Sequence, residues 1–527
     1  MKKHLLTYCI VFFTIIQLVA QEKVDIIPQP NNVVLKSDLP FDLSKVTIIK
    51  SSKESKEIAK ILQNQLKNDT NQSLKISKKQ GTQFISFLLN DTLAKEAYEL
   101  NIDTQSITIT AAGNNGWFYG IQSLRQLAQK SIQIPTMTIK DSPRFSWRAY
   151  MLDESRYFHG EEFVKLLLDQ MALLKMNVFH WHLVDDGGWR IEIKKYPKLT
   201  SIGSKRKDSE IETWGSGKYS GEPHEGFYTQ KQIKNIVAYA ADRNITIVPE
   251  FEMPGHSSAA IASYPWLGTL GKEMEVPVKF GRLYDNYDVT KPEVITFIHD
   301  VLTEIFALFP SKVIHIGGDE VGYKVWEESE SVQQYMQENN IATPADLQIQ
   351  FTNNISQFIE KNGRRMMGWN EIMGTNIHKG FAEKKDDKEA ETTLAKNVVV
   401  HFWKGNIDLL TKAAREGYGI VNSLHSNTYL DYSHKSISLE KAYNFNPIPK
   451  DLAPEYHKNV YGLGCQMWSE WTPTNADIER QTYPRIAAFA EVGWTQTNNK
   501  DFNIFSSSLE QLKKHWSKFN INFYNNK

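Results

Sequence analysis

Residues 312–320, Lys-Val-Ile-His-Ile-Gly-Gly-Asp-Glu, combine a short apolar strand, two glycines and two adjacent carboxylates. The pattern places Asp319 and Glu320 where a buried strand opens into a loop. Neighbouring acids in such a place repel each other and lose contact with water, so we expect the pKa of at least one of them to rise. A protonated acid beside an ionised one suits cleavage of an acetal near neutral pH. Taken alone, such a pair is more often part of a solvated acidic loop or a metal site.

The same succession of strand, loop and helix recurs from residue 143 onward. Eight apolar segments are predicted to be strands, at residues 149–152, 177–184, 246–251, 312–316, 365–369, 398–403, 419–422 and 462–468. Helical periodicity is found at residues 161–176, 230–243, 292–309, 345–361, 406–416 and 477–491. Eight strands alternating with helices predict an α/β fold of the (β/α)8 TIM barrel type. A doubly wound open sheet is the alternative, but no glycine-rich phosphate loop follows an early strand.

Residues 21–142 have a different pattern. Strands are predicted at residues 84–89, 98–102, 107–110 and 134–139, and a helix at residues 116–129. This order indicates a small α+β N-terminal domain. Pro143 interrupts regular structure and marks a boundary, so the barrel and a C-terminal helical tail are predicted to occupy residues 143–527.

The first twenty residues resemble an export signal. Lys2 and Lys3 precede an apolar run at residues 5–18, and Leu-Val-Ala at residues 18–20 offers a small-residue cleavage site before Gln21. The alternative is a membrane anchor, for which the apolar run is short. Cleavage would leave Cys465 as the only cysteine, so we expect an exported protein, periplasmic or secreted, without an internal disulfide and without a membrane segment.

Composition narrows the possible partners. The 527 residues carry a formal net charge of zero, with 41% hydrophobic and 12% aromatic residues. A neutral surface argues against nucleic acid or an anionic membrane as partner. The thirteen tryptophans include flat apolar faces suited to sugar rings, although most are expected to be packing residues. The sequence does not indicate an oligomeric state.

Polar and aromatic residues follow all eight predicted strands at their C-terminal ends, the face where barrel enzymes place their active sites. In strand order they are Arg156; His180, His182, Asp185 and Asp186; Glu250, Glu252 and His256; Asp319 and Glu320; Trp369; Trp403; Tyr429 and Asp431; and Trp468, Glu470 and Trp471. One such cluster could be structural. Eight clusters on one rim predict a functional site.

Four motifs carry a specific resemblance. They are Asn-Val-Phe-His-Trp-His-Leu-Val-Asp-Asp-Gly-Gly-Trp-Arg at residues 177–190, Met-Pro-Gly-His at 253–256, His-Ile-Gly-Gly-Asp-Glu at 315–320 and Gln-Met-Trp-Ser-Glu-Trp at 466–471. With these motifs the chain resembles the family 20 glycoside hydrolases, the β-N-acetylhexosaminidases, from about residue 26 to the C-terminus. It departs from the usual pattern in having Tyr157 where His is common and Glu252 where Asp is usual.

The resemblance implies a retaining reaction in which the 2-acetamido group of the sugar replaces an enzyme nucleophile. Glu320 would be the general acid and then the base. Asp319 would orient the acetamido N–H and stabilise the oxazolinium-like intermediate, and Tyr429 would donate to the acetamido oxygen. The expected substrates are oligosaccharides or glycoconjugates that end in N-acetylhexosamine.

The resemblance also implies roles for the other rim residues. Trp369, Trp403 and Trp468 would form the wall of the acetamido pocket. The ring hydroxyls would be bound by Arg156, Asp431 and Glu470. Asp185 and His256 would form a relay behind Glu320. Without the resemblance, the tryptophans are more often core residues, Arg156 an ion-pair partner and His256 a structural histidine.

No cofactor and no metal are predicted, although His180, His182 and Glu252 include residue types that bind metals. Two other functions stay open at this point. One is a carbohydrate-binding pseudoenzyme, which the presence of both Asp319 and Glu320 disfavours. The other is a barrel glycosidase with a protein nucleophile, for which Glu470 is the candidate.

Overall fold

A computed structural model of the protein describes residues 23–281, 285–374 and 389–525. Within these ranges the chain forms an α+β domain, a closed parallel barrel and a C-terminal helix, Phe502–Lys518. The predicted export signal, residues 1–20, lies outside the described residues. In the described part of the chain, no helix is both long and apolar enough to span a membrane.

The predicted barrel is confirmed. Its eight strands are Trp147–Asp153, Val178–His182, Thr246–Glu250, Val313–His315, Arg365–Trp369, Val398–Phe402, Gly419–Asn422 and Val460–Met467. Neighbouring strands are parallel, and the first strand pairs with the eighth, from Trp147 opposite Gly462 to Leu152 opposite Met467. This closure leaves no free sheet edge, and it brings the C-terminal ends of all eight strands to one rim.

Helices surround the barrel. Those of eight residues or more in the described ranges after residue 145 are Glu161–Leu173, Gln230–Ala241, Pro292–Leu308, Glu330–Glu338, Pro344–Lys361, Ile407–Arg415, Asn475–Thr482, Arg485–Trp494 and Phe502–Lys518. Local sequence explains several starts. A capping box between Thr229 and Gln232 begins one helix, and Pro292 and Pro344 occupy first turns, where the missing N–H has no helical partner to lose.

The structure corrects two predicted boundaries. The strand predicted at residues 177–184 ends at His182, and Val184–Asp185 instead pairs with Gly188–Trp189 in a hairpin. The helix predicted at residues 477–491 is two helices, Asn475–Thr482 and Arg485–Trp494. Pro484 separates them, because proline cannot donate the backbone hydrogen bond that a continuous helix needs.

The N-terminal domain has a seven-stranded sheet with two helices, Lys56–Thr70 and Asn114–Lys130. In spatial order its strands are Asn32–Leu35, Met137–Asp141, Tyr98–Ile102, Ser106–Ala111, Phe84–Leu89, Ile48–Lys50 and Lys75–Ser77. Most buried apolar residues of this domain and of the barrel join one continuous hydrophobic core. Two small clusters of barrel residues lie apart from it: Ala149, Val178 and Val248, and Met367, Val399 and Val421.

A buried ion pair joins the two domains. Asp141, at the end of an N-terminal strand, lies 3.1 Å from the ammonium group of Lys175, and neither side chain is exposed. Asp141 also accepts hydrogen bonds from the Tyr98 hydroxyl (2.7 Å) and the Trp494 indole N–H (2.9 Å). Lys175 lies three residues before the second barrel strand, which begins at Val178, so this contact holds the chain at the N-terminal end of that strand.

We therefore predict that Asp141→Asn lowers the free energy of unfolding by about 3–5 kcal/mol, because it leaves a buried ammonium group without its anion. Urea denaturation followed by tryptophan fluorescence measures the change. Asp25→Asn is the matched control: Asp25 pairs with Lys130 at an exposed position, where loss of the pair costs about 0–1 kcal/mol. Equal losses in the two variants would contradict the interpretation.

Candidate active site

The adjacent carboxylates lie at the mouth of the barrel, after its fourth strand. Gly317 and Gly318 have φ angles of 67° and 89°, and Glu320 has 51°, all in the left-handed region. A side chain at Gly317 is excluded because its Cβ would lie 1.6 Å from the Glu252 carboxyl. The two glycines thus allow the chain to turn so sharply that both acids reach the rim, and Glu320 itself is held in a strained conformation.

His256 separates two groups of carboxylates. Its Nε2 lies 3.8 Å from both Asp319 Oδ2 and Glu320 Oε2, and its Nδ1 lies 3.2 Å from Asp185 Oδ1 and from Asp186 Oδ2. Burial alone would lower the pKa of His256, but the negative charge of Asp185 and its hydrogen bond raise the pKa well above the usual range. We infer that His256 is a cation behind the carboxylate pair.

The pKa of Asp319 is displaced from its usual value. Burial raises the pKa of Asp319 to about 6; the charge of His256 opposes this rise, and that of Glu320 adds to it. The sequence-based expectation that one of the two acids has a raised pKa is therefore met at Asp319.

Arg156 occupies the next corner of the rim. Its guanidinium lies 2.8 Å from Asp185, 3.2 Å from Asp153 and 3.9 Å from Glu470. The guanidinium carbon also lies 5.1 Å from the centre of the Trp468 ring. Arg156 is thus both an ion-pair partner and part of the rim.

Two further acids face this corner. Burial raises the pKa of Asp431 well above its usual range, and the charge of Glu470 adds to the rise. Burial also raises the pKa of Glu470, against the charge of Arg156. The Asp431 Oδ1 atom is buried and has no hydrogen-bond partner among the described residues. Such an atom is suited to a polar group of a ligand.

An aromatic wall completes the site. The Trp369 ring centre lies 6.4 Å from that of Trp403 and 6.0 Å from that of Trp468, while Tyr429 lies 6.1 Å from each of Trp403 and Trp468. Tyr429 reaches this position because it forms a bridge with Gln466 of the eighth strand. The three predicted tryptophans and the tyrosine therefore form one apolar surface beside the carboxylates.

Two buried carboxyl groups hold the indoles of that wall. The Trp369 N–H donates to Glu250 Oε1 at 2.9 Å, and the Trp403 N–H donates to Glu371 Oε2 at 2.8 Å. Sequence analysis gave no role to Glu250 or Glu371, nor to Asp153, the partner of Arg156. The signal that could have identified them is position, since all three lie at or just after the C-terminal end of a predicted strand.

His182 connects the wall to the catalytic corner. Its Nδ1 lies 2.7 Å from Glu250 Oε2, and its Nε2 lies 3.1 Å from Asp185 Oδ2. Burial would lower the pKa of His182, but the charge of Glu250 and the hydrogen bonds to Asp185 and Glu250 together raise the pKa to about 10. The two carboxylates are therefore bridged by a histidinium.

Three groups of side chains hold ligand-type atoms within 4.8 Å of one another: His180, His315 and His401; His182, Glu250 and Glu252; and Asp185, Asp186 and His256. Residues within and between these groups already contact one another: a hydrogen bond of 3.2 Å joins His315 and His401, and His180 Nε2 lies 2.8 Å from Glu250 Oε2. We assign no metal to them, and the absence of a metal stays a prediction.

Together, these residues form a site with an adjacent carboxylate pair, of which Asp319 is buried and Glu320 partly exposed, a cation behind the pair, an arginine corner and an aromatic wall. A carboxyl group whose pKa lies near 6 beside a second carboxyl can hold one proton between them near neutral pH. The arrangement is suited to general acid–base chemistry on a ligand with an apolar face and several hydroxyl groups.

Comparisons with known proteins agree with this chemistry. Sequence models of "Glycosyl hydrolase family 20, catalytic domain" and "Glycosyl hydrolase family 20, domain 2" match residues 145–497 and 23–142. A β-hexosaminidase of Porphyromonas gingivalis is 34% identical, over 95% of this chain and 64% of its own length. One of Vibrio furnissii is also 34% identical, over 78% of this chain and 67% of its own length.

Solved structures give the same result. The crystal structure of a GH20 exo β-N-acetylglucosaminidase from Vibrio harveyi in complex with N-acetylglucosamine has a TM-score of 0.82 and 31% identity, covering 95% of this chain and 78% of that one. A Streptomyces plicatus N-acetyl-β-hexosaminidase has a TM-score of 0.79 and 28% identity, covering 96% and 97%. The chain thus spans about two thirds of the two relatives named above and nearly all of the Streptomyces structure.

Proposed function

Because the chain belongs to glycosyl hydrolase family 20, we propose that it is an exo-acting, retaining β-N-acetylhexosaminidase. It removes terminal N-acetylglucosamine, or N-acetylgalactosamine, from glycans or chitin fragments. One observation carries the proposal: Asp319 and Glu320 are adjacent at the barrel mouth, with His256 behind both and an aromatic pocket beside them. Relatives described as N,N'-diacetylchitobiase and as an enzyme complexed with N-acetylglucosamine support the sugar class.

The reaction that fits these residues is assisted by the substrate. The acetamido oxygen forms a bond to the anomeric carbon as the glycosidic bond breaks, and Glu320 protonates the leaving oxygen. Asp319 accepts the acetamido N–H and balances the positive charge of the oxazolinium. Water then attacks the anomeric carbon, Glu320 takes its proton, and the acetamido group is restored with net retention.

The other site residues have supporting roles in this scheme. Tyr429 donates to the acetamido oxygen, and Trp369, Trp403 and Trp468 exclude water from the cyclic intermediate. Arg156, Asp431 and Glu470 bind ring hydroxyls. Asp185 is buried against Arg156, His182 and His256, so it positions those groups and does not itself face the sugar.

The first prediction concerns the cyclic intermediate. A thiazoline mimic of it should inhibit on the order of 10²-fold more tightly than N-acetylglucosamine, or better, because a site complementary to the transition state binds its analogues best. Inhibition constants for the two compounds measure this. Aryl glycosides without the 2-acetamido group should not be turned over; their turnover, or equal inhibition constants, would favour a protein nucleophile such as Glu470.

The second prediction concerns the proton donor. Glu320→Gln should reduce kcat/KM by about 10²- to 10⁴-fold for a disaccharide, whose leaving oxygen needs a proton. The reduction should be much smaller for a dinitrophenyl glycoside, whose leaving group departs without one. The two substrates are compared under the same conditions, and equal losses would reject Glu320 as the general acid.

We also propose that the protein is exported, on the basis of Lys2, Lys3 and the apolar run that follows. The mature chain should begin near Gln21 and be found outside the cytoplasm. N-terminal sequencing of the exported protein tests this. An intact Met1 on soluble protein would reject cleavage, and an uncleaved membrane-bound form would favour the anchor.

A further inference from the structure

Asn370 and Glu371, which follow the fifth barrel strand, hold Trp403, which follows the sixth. Asn370 Oδ1 accepts the backbone N–H groups of Trp403 (3.0 Å) and Lys404 (3.3 Å), and its amide donates to the Lys404 carbonyl (3.1 Å). Glu371 holds the side chain of the same tryptophan, accepting its indole N–H at 2.8 Å. Backbone and ring of Trp403 are therefore both fixed by one short segment.

That segment is itself rigid. Residues Asn370–Met373 form a 3-10 helix, and the Gly374 N–H closes it on the Glu371 carbonyl at 3.0 Å. The Glu371 side chain is buried, and among the described residues no lysine, arginine or histidine forms an ion pair with it. The acceptor for the Trp403 indole is thus a buried carboxyl group without an ion-pair partner among the described residues.

The position of the Trp403 ring matters because it is half of a parallel pair with Tyr429. The two ring planes differ by 10° and their centres lie 6.1 Å apart. A rotation of the indole would open the pocket between Trp403 and Tyr429. Trp403 is only partly buried, so packing alone restrains its ring less than that of Trp369, which is fully buried.

We propose that Glu371 is a positioning residue for the reaction, and that it holds the indole of Trp403 in the pocket wall as an uncharged carboxylic acid. The proposal rests on the hexosaminidase function proposed above. Glu371 does not touch the reacting atoms in this scheme; it acts through Trp403.

The charged groups that face Glu371 explain why the uncharged form is suitable. These groups are the acidic side chains of Asp319 and Glu320, which lie on the adjoining loop. Burial raises the pKa of Glu371 to about 8, and the negative charge of Asp319 adds to the rise, against the hydrogen bond from Trp403. An ionised Glu371 would put a third negative charge beside the pair, whereas the acid form still offers an oxygen to the indole N–H.

Turnover of an aryl N-acetylglucosaminide by three single variants and one double variant tests the positioning role. Glu371→Leu removes the acceptor and should lower kcat by about 10-fold or more, since it leaves a buried N–H unpaired. Glu371→Gln restores an acceptor oxygen and should recover most of that loss. Trp403→Phe removes the indole donor. The double variant Trp403→Phe/Glu371→Leu should therefore have a kcat less than about 3-fold below that of Trp403→Phe, because the effects of substituting contacting residues are not additive.

Stability against pH tests the charge state. Folded Glu371 keeps its proton to about pH 8, whereas an unperturbed glutamate loses it near 4.5. The folded state therefore binds more protons in this window, and its stability falls as pH rises. Glutamine has no such proton, so the melting temperature of Glu371→Gln minus that of wild type should increase from about pH 5 to about pH 8. Glu455→Gln, at an exposed position, is the control and should show no such trend.

The outcomes are distinguishable. An inactive wild-type enzyme would reject the proposed function, and the melting-temperature comparison would still report on Glu371. An active wild type with additive losses at Glu371 and Trp403, or with no recovery by glutamine, would overturn the positioning role. A difference in melting temperature that stays flat or shrinks with pH would show that Glu371 is already ionised, and would overturn the uncharged form. Circular dichroism of Glu371→Leu separates a folding defect from a catalytic one. If Glu371→Leu does not fold, the comparison of Glu371→Gln with the wild type decides.

Discussion

His256 lies between four carboxylates, and its positive charge is the interaction that allows so many acids to share one buried site. On one side are Asp185 and Asp186, each 3.2 Å from Nδ1; on the other are Asp319 and Glu320, each 3.8 Å from Nε2. Without a cation there, burial and mutual repulsion would protonate more than one of these groups. A site that transfers a single proton requires that few of its carboxyl groups are protonated at once, and the charge of His256 favours this.

The aromatic wall depends on a second set of acids, in two different charge states. Glu250 is an anion, because electrostatic interaction with His315, and next with His182, holds its pKa well below the usual range despite burial. No histidine, lysine or arginine in the described part of the chain pairs with Glu371, and burial raises its pKa to about 8. Each accepts one indole N–H. The pocket tryptophans are thus positioned by hydrogen bonds from behind as well as by packing, which leaves their faces free for a ligand.

The N-terminal domain contributes to the site at a distance. Lys175 and Asp141 bind the domains together where the second barrel strand begins, and that strand ends at His182. The hairpin that follows carries Asp185. His182 and Asp185 link the aromatic wall to Arg156 and His256. The interface between the domains therefore fixes the N-terminal end of the strand that carries His182 and leads to Asp185.

Sequence alone determined the fold class, because eight apolar strand segments alternate with helical ones and parallel strands of this number close into a barrel. It also placed Asp319, Glu320 and the rim tryptophans near one another, since the C-terminal ends of parallel strands share a face. The family resemblance implied a relay of Asp185 and His256, but the sequence could not reveal that Arg156 and His182 also contact Asp185. Nor could it reveal that Pro484 divides a helix in two, or that Glu250 and Glu371 hold the indoles. Those features depend on distances between residues far apart in the chain, and on burial and neighbouring charge, which set protonation and are decided only when the tertiary structure forms.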